Sequence, residues 1–229
     1  MILSSELPSA VTTSAAGGTS TAQACGGSAG TIFVHSSAEK SLLIDSADAN
    51  RDDDTYTPLP VDGDLDSVDV LITRTSHVQI SDEMTGFHVR SLWLDSTSEL
   101  TGGTLKLSAR NATLQGDFQS TSLMELSVSA ELRLLSGALL ECTATACVIE
   151  LISGTFMAQE STDIQGDVLD LVVGDDARIG GTVDVDDTVT IRVNDFLTLQ
   201  STSAITADEL DISAGGVVAS GDVTIVESL

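Results

Sequence analysis

Residues 168–193 read VLDLVVGDDARIGGTVDVDDTVTIRV, and this stretch decides the fold. It contains two strings of alternating apolar and polar side chains, centred 20 residues apart. Alternation with a period of two predicts β-strands. Similar strings recur from position 71 onward, with apolar anchors at Leu71, Leu92, Leu107, Leu126, Ile149, Leu171, Ile191 and Ile212. The steps between anchors are 21, 15, 19, 23, 22, 20 and 21 residues, with a mean of about 20.

A repeat of about 20 residues is typical of a solenoid, whose units bury their apolar faces by stacking on one another. A second string follows each anchor after about seven residues, and a weaker third string often comes next. We therefore predict an all-β, single-chain parallel β-helix (β-solenoid) with three short strands in each coil of about 20 residues. Eight coils, stacked about 4.8 Å apart, would form a rod of roughly 40 Å. In residues 189–193 the odd-numbered side chains should face inward, and Thr190 and Arg192 should face solvent.

A β-sandwich is the alternative fold, because strands that recur every 8–12 residues also suit that architecture. The persistence of the longer period favours the solenoid, as does the lack of an Asn-Gly hairpin turn in the sequence. The 15- and 23-residue steps show that the repeat is irregular.

Composition divides the chain into two parts. Residues 1–29 are rich in Ser, Thr, Ala and Gly, which predicts a lead-in or linker. Residues 30–229 form the predicted solenoid, and residues 46–67 form an acidic loop inserted into it. The closing GDVTIVESL indicates a strand without a cap, so we expect the natural protein to continue or this end to dock onto another chain.

Charge excludes two classes of partner. The chain of 229 residues is 41% hydrophobic, enough for a core, and has a formal net charge of −26. This charge argues against binding to nucleic acid or to an anionic membrane surface. Because the sequence lacks a run of about 18 apolar residues, we predict no membrane insertion. The N-terminus also lacks the basic region and long apolar run of a signal peptide.

The chain from about residue 23 resembles the β-helical segments of large secreted adhesins and cell-surface filament proteins. The likeness lies in the opening ACGGSAGTIFVHS and in degenerate strings such as LDLVVGDDARIGGTVDV and LTLQSTSAITADELDIS. It implies an extracellular or cell-surface location and a structural or adhesive role. The resemblance implies no catalytic residue in this chain.

The acidic loop is a candidate calcium site. Residues 48–54 place oxygen-bearing side chains at alternate positions, as calcium-binding loops do. The EF-hand pattern fails, because Asp53 stands in place of the glycine and Leu59 in place of the final glutamate. The candidate ligands are Asp48, Asn50, Asp52, Asp54, Asp62 and Asp64. A solvated acidic loop without calcium is the alternative, and no other cofactor is predicted.

Three cysteines and one sequon bear on the cellular compartment. A disulfide between Cys142 and Cys147 would staple a corner of the solenoid, and two buried free thiols are the alternative. Cys25 is left over, and an odd cysteine in a secreted protein indicates an intermolecular bond. Asn111 begins an Asn-Ala-Thr triplet, which is an acceptor sequence for N-glycosylation.

The predicted function is a structural or adhesive extracellular β-solenoid, either a rigid spacer or a subunit of a surface filament. Its partners would be further copies of itself or other surface proteins, and lateral assembly would require calcium or basic partners to neutralise its acidic faces. One alternative is a polysaccharide lyase or hydrolase, but bases and aromatics are scarce near the clustered acids. The other is a bactofilin-like cytoskeletal filament protein. His35, His77 and His88 do not have metal-ligand spacing.

Overall fold

The computed structural model describes residues 30–35, 40–46, 56–59, 65–80 and 86–225. These residues form strands and turns, and no helix occurs among them, so none forms a helix that could cross a membrane. The strands are β1 (Gly30–His35), β2 (Lys40–Asp45), β3 (Thr57–Pro58), β4 (Asp69–Thr73), β5 (His77–Ile80), β6 (Phe87–Leu94), β7 (Glu99–Leu114), β8 (Asp117–Leu134), β9 (Leu139–Cys142), β10 (Val148–Ala158), β11 (Asp163–Val173), β12 (Ala177–Ile179), β13 (Thr182–Leu199), β14 (Ala204–Ala207), β15 (Glu209–Ala219) and β16 (Asp222–Ile225).

Strand pairing in the described residues is parallel, except between β1 and β2, which are antiparallel. Paired residues lie about 20 positions apart, as Leu171 does from Ile191, and Ile191 from Ile212. Successive turns of the chain therefore stack on one another, whereas hairpins would place consecutive strands side by side. The chain is a parallel β-solenoid of about seven turns. This confirms the predicted fold, and the β-sandwich alternative is wrong.

Each complete coil has three faces, which β13 illustrates. Residues 182–185 of this strand belong to face 1, residues 188–193 to face 2 and residues 196–199 to face 3. The register shifts between these segments, which is where the strand turns a corner. The chain then passes through the corner between faces 3 and 1 and begins face 1 of the next coil as β14.

The core is a set of apolar columns that run along the solenoid. In residues 189–193, Val189, Ile191 and Val193 are buried, Arg192 is exposed and Thr190 is half-buried, so the predicted alternation is confirmed. On face 1, one inward column contains Val78, Leu100, Phe118, Leu140, Ile164, Val183 and Ile205. Each coil thus covers the apolar side chains of the coil before it, as expected for a repeat that cannot bury its core alone.

The period of the repeat is confirmed, but its phase differs from the sequence anchors. One inward column on face 2 contains Leu107, Leu126, Leu171, Ile191 and Ile212. Ile149 belongs to the neighbouring column, and Leu151 takes the place expected for it. Leu71 and Leu92 lie on face 3, where Leu71 points outward. The 15-residue step from Leu92 to Leu107 therefore joins two faces, whereas Phe87 lies 20 residues before Leu107 in the true column.

The interval 46–67 contributes to the solenoid as well as containing the predicted loop. Its strand β3 pairs in parallel with β5 on face 1. The Leu59 amide donates to the Gln79 carbonyl at 3.2 Å, and the Leu59 side chain is buried. The predicted lead-in, residues 1–29, lies outside the described residues.

Beyond the corner at residues 74–76, the described corners between faces 3 and 1 occur in a long and a short form. Long corners have four residues, at 95–98, 135–138, 159–162 and 200–203, and the amide of the fourth donates to the carbonyl of the first at 3.0–3.4 Å. Short corners have two residues, Gln115-Gly116, Gly180-Gly181 and Ser220-Gly221. Both forms keep the backbone hydrogen bonds between coils. The Gln200 amide donates to the Ile179 carbonyl, and the Gly180 amide donates to the Ala158 carbonyl, each at 2.8 Å.

Glycine is required where a short corner lies directly over a long one. A Cβ atom on Gly181 would overlap the hydroxyl and the carbonyl oxygen of Thr162 in the preceding coil. A Cβ on Gly221 would overlap the Ser203 hydroxyl in the same way, and one on Gly116 would overlap the carbonyl of Ser98. The coil spacing is fixed by backbone hydrogen bonds, so the neighbouring coil cannot move away to make room.

Gly181→Ala is therefore expected to destabilise the solenoid by about 1–3 kcal/mol, the usual cost of overpacking. That cost corresponds to a melting temperature lower by about 3–10 °C, measured by circular dichroism. Gly174→Ala is the matched control, because a Cβ there meets nothing closer than 3.6 Å. It should leave the melting temperature unchanged or raise it slightly. Equal losses in the two variants would contradict the proposed steric origin.

Candidate functional site

The predicted calcium ligands and the odd cysteine fall outside the part of the chain that the structure describes. They are Asp48, Asn50, Asp52, Asp54, Asp62, Asp64 and Cys25. Calcium binding in the acidic loop and an intermolecular bond through Cys25 stay predictions. Across the described ranges, no group of three or more His, Cys, Asp or Glu side chains is arranged to hold a metal ion.

Cys142 and Cys147 meet as a disulfide pair at the corner between faces 1 and 2. Their Cα atoms lie 5.8 Å apart, a separation that a disulfide spans. Both side chains are buried, and the intervening turn includes Ala146 with a φ of 64°. The Cys147 amide donates to Asp167 Oδ2 of the next coil at 2.9 Å. The bond would therefore brace a turn that also anchors the coil above it.

Asn111 is accessible for modification. It lies in β7 on face 3, and its side chain is exposed. The middle residue of the sequon, Ala112, is buried, whereas Thr113 is only half-buried. The strand alternation therefore directs both recognition side chains of the triplet outward. N-glycosylation at this position stays a prediction.

An acidic groove follows the same corner as the disulfide. It has a volume of about 320 Å³ and is lined by four carboxylates, Glu141, Asp167, Asp184 and Asp186, together with the hydroxyls of residues 143 and 145. Its described lining contains no basic or aromatic side chain. A sugar-processing enzyme needs paired carboxylates, which this groove offers, and also groups that hold the sugar, which its lining lacks.

Titratable side chains are aligned at the start of face 1. The Tyr56 and His77 ring centroids lie 6.0 Å apart, and His77 Nδ1 is 3.6 Å from Glu99 Oε2. Glu99 is paired in register with Asp117 of the next coil. Burial raises the pKa of the Asp117 carboxyl above its usual value, and the His77 charge opposes that rise. No sequence motif marks this alignment, because its members are about one coil apart. The repeat period is the signal that links them.

Ion pairs on the surface mostly join adjacent coils. Arg90 Nε donates to Asp69 Oδ1 at 2.7 Å, and this guanidinium lowers the pKa of the Asp69 carboxyl, with the Ser91 hydroxyl adding to the effect and burial opposing it. Lys106 Nζ lies 2.7 Å from Glu125 Oε1. Arg192 Nη1 lies 2.9 Å from Asp170 Oδ1. These pairs are partly exposed, so each contributes at most about 1 kcal/mol.

The outward columns give faces 2 and 3 different chemistry. The central outward column of face 2, called the face-2 column, contains Lys106, Glu125, Glu150, Asp170, Thr190 and Asp211. The central outward column of face 3, called the face-3 column, contains Leu43, Leu71, Trp93, Thr113, Arg133, Met157, Arg178, Thr198 and Val218. The face-2 column is mostly acidic, whereas the face-3 column has no carboxylate at all.

Comparisons with known proteins add no relative to this picture. No protein-family model matches the chain, and no curated protein or solved structure matches it either. The geometry of the described residues is therefore the basis for any functional proposal.

The two shifted carboxyls are expected to change stability with pH in opposite directions. Asp69 has a lowered pKa in the folded chain. The Asp69 carboxylate therefore stabilises the fold above the unfolded pKa of 3.8, and this stabilisation is lost as pH falls through the folded pKa. Asp117 has a raised pKa in the folded chain. The loss of stability caused by ionising this carboxyl is therefore absent below pH 3.8 and grows as pH rises through the folded pKa.

Asp69→Asn should therefore lower the melting temperature at pH 7, and Asp117→Asn should raise it, each by about 1–3 °C. The Asp117→Asn difference from the unsubstituted chain should vanish at about pH 3, where that carboxyl is largely protonated in the folded and unfolded states alike. The Asp69→Asn difference should be smaller at about pH 3 than at pH 7, because its contribution is lost as pH falls from 3.8 through the lowered folded pKa. Melting followed by circular dichroism at both pH values gives the comparison. Shifts of the same sign at pH 7 would contradict this assignment.

Proposed function

We propose that this chain is a rigid structural segment of an extracellular surface or filament protein, acting as a spacer or as a stacked subunit. The observation that carries the proposal is the set of inward apolar columns, which form one buried core along the described coils. Each coil is bonded to its neighbours through the backbone, so bending the rod would break many hydrogen bonds together.

The surface supports the same role. The described residues present long columns of side chains, and grooves lie shallowly between them. The acidic groove near residues 141–145 is the best candidate for chemistry, but it lacks side chains that would hold a sugar. The polysaccharide-enzyme alternative is therefore less well supported than a structural role. A strongly acidic surface suits a protein that remains dispersed until a specific contact forms.

An extracellular location is supported by two features. Cys142 and Cys147 are positioned to bond, and a disulfide persists in an oxidising compartment. Asn111 is exposed on a face that a glycosylating enzyme could reach. No resident cofactor is proposed beyond calcium in the acidic loop, where the carboxylates of residues 48–64 are suitable ligands.

The mass of the chain isolated from its source cells tests the location. We expect a mass that shows the Cys142–Cys147 bond and a glycan on Asn111, because both modifications belong to the secretory route. Peptide mapping with and without reduction assigns each one. Reduced cysteines with an unmodified Asn111 would contradict the extracellular proposal and favour a bactofilin-like filament in the cytosol.

Rigidity is tested by the distance between two spin labels on face 2. Ser108 and Ser213 occupy one outward column and are five coil steps apart, through residues 127, 152, 172 and 192. Labels on Ser108→Cys and Ser213→Cys should be about 24 Å apart with a narrow distribution, since each step is about 4.8 Å.

Every labelled variant also carries Cys25→Ser, so that the introduced cysteines are the free thiols available to the spin label. The pair Ser108→Cys and Val172→Cys, three steps apart and so too far for a disulfide to form between them, is the control for the width that the label itself contributes. A distribution for the five-step pair that is much broader than the control would contradict a rigid rod.

A further inference from the structure

Exposed large apolar side chains are concentrated on face 3. Leu71 is 36% exposed, Trp93 40%, Phe196 59% and Val218 58%, and all four belong to strands of this face. Ile152 on face 2 is 48% exposed and is surrounded by a different set of neighbours. Leu71 and Trp93 form one cluster at one end of face 3, and Phe196 and Val218 form another at the opposite end. Exposed apolar clusters on a highly charged protein indicate an interaction site.

Charge restricts what can approach this chain closely. Four of the six residues in the face-2 column are acidic, so a second acidic molecule placed there would bring carboxylates together. The face-3 column, from Leu43 to Val218, has no Asp or Glu. Face 3 is therefore the surface on which two copies of a chain with net charge −26 can meet with the least repulsion.

We propose that face 3 is a self-association surface on which a second copy of this chain packs antiparallel about a two-fold axis. This inference depends on the proposed structural role only for the biological use of the contact. The contact itself follows from the side chains of face 3. It also differs from the lateral assembly expected from the sequence, since the acids Asp69 and Glu131, which lie beside the face-3 column, are paired with Arg90 and Arg133 and need no calcium to neutralise them.

The orientation follows from the order of residues in the face-3 column. The part of the column from Leu71 to Val218 has its midpoint between Arg133 and Met157, and with antiparallel packing about that point Leu71 meets Val218 of the second copy. Trp93 then meets Thr198, beside the exposed Phe196 ring. Apolar groups at the two ends of the column therefore cover one another.

Parallel packing pairs each residue of the column with its own copy. Arg133 would face Arg133 and Arg178 would face Arg178, which places like charges in direct contact. The antiparallel arrangement instead places Arg133 against Met157 and Arg178 against Thr113. A two-fold contact of this kind is closed, so it yields dimers.

The size of the surface sets the strength of the contact. Seven coil steps separate Leu71 from Val218. At about 4.8 Å per step and about 13 Å of strand width, the footprint is roughly 450 Å² per copy, or 900 Å² in total. This lies at the low end for specific interfaces, so we expect a reversible dimer with Kd in the micromolar range.

Asn111 makes the contact conditional. It is exposed on face 3 and is paired in register with Ser91 and Glu131, one residue column away from the face-3 column. A glycan attached there would occupy the space that the second copy takes. The glycan expected on Asn111 in the extracellular protein would therefore block this contact, and copies that lack the glycan would associate.

Sedimentation equilibrium of the full chain, produced without N-glycans and in the presence of EDTA, tests the surface. We expect a monomer–dimer equilibrium between about 1 and 300 µM. Phe196→Asp and Trp93→Asp should each raise Kd by about tenfold or more, because they place a charge in the buried contact. Raising the salt concentration should lower Kd, since it screens the repulsion between acidic chains.

Ile152→Asp is the matched control, because it adds the same charge at an equally exposed apolar position on face 2. It should change Kd by less than about twofold. Circular dichroism of each variant verifies that the fold is retained. A chain that stays monomeric at about 300 µM, or a loss of affinity in Ile152→Asp equal to that in Phe196→Asp, would overturn the proposal.

Disulfide trapping tests the orientation in the Cys25→Ser background. A mixture of a Trp93→Cys chain and a Thr198→Cys chain should form the mixed dimer in preference to the Trp93→Cys homodimer. Preference for that homodimer would overturn the antiparallel arrangement. Failure of either association experiment leaves the spin-label distance on the monomer unaffected, so it is distinguishable from failure of the rigid-segment proposal.

Discussion

The backbone hydrogen-bond ladder between successive coils is the constraint on which the rest of the structure depends. It fixes the coil spacing at about 4.8 Å and so requires every residue to fit the one a coil above and below it. Inward positions must be apolar and of compatible size, which produces the columns of Leu, Val and Ile. Corners must avoid overlap with the previous corner, which is why Gly181 follows Thr162 by one coil and Gly221 follows Ser203. Glycine, serine and threonine at these corners are therefore determined by stacking as much as by turn geometry.

The same ladder determines how the chain can function. Side chains that are about 20 residues apart become direct neighbours on the surface, so side chains of similar charge or polarity line up in columns. On face 2 this stacks Glu125, Glu150 and Asp170, and the cations Lys106 and Arg192 pair with the two outer acids. On face 3 the central column combines apolar side chains and threonines with Arg133 and Arg178. A rod whose faces differ in this way is suited to making specific lateral contacts while the remainder of its surface keeps it dispersed.

Much of the fold could be predicted because alternation and period are properties of the sequence itself. The inward position of Val189, Ile191 and Val193 followed directly from a period of two. The phase between coils could not be predicted as well, because any apolar residue in a string can serve as an anchor. Ile149 and Leu151 are both buried, and only the strand register shows which of them continues the column. The pairing of Cys142 with Cys147 was accessible from their spacing, whereas the alignment of Tyr56, His77, Glu99 and Asp117 required the register.

The sequence by itself determined that this protein is a β-solenoid with an acidic surface, because side-chain alternation, repeat length and charge are all local or additive quantities. Tertiary structure alone decided which side chains share a face. A shift of register by one residue moves a side chain from the core to the surface, and a shift between faces moves it to a different environment. For that reason the sequence could anchor its repeat on Leu71, whereas the structure places that side chain outward on face 3, next to Trp93.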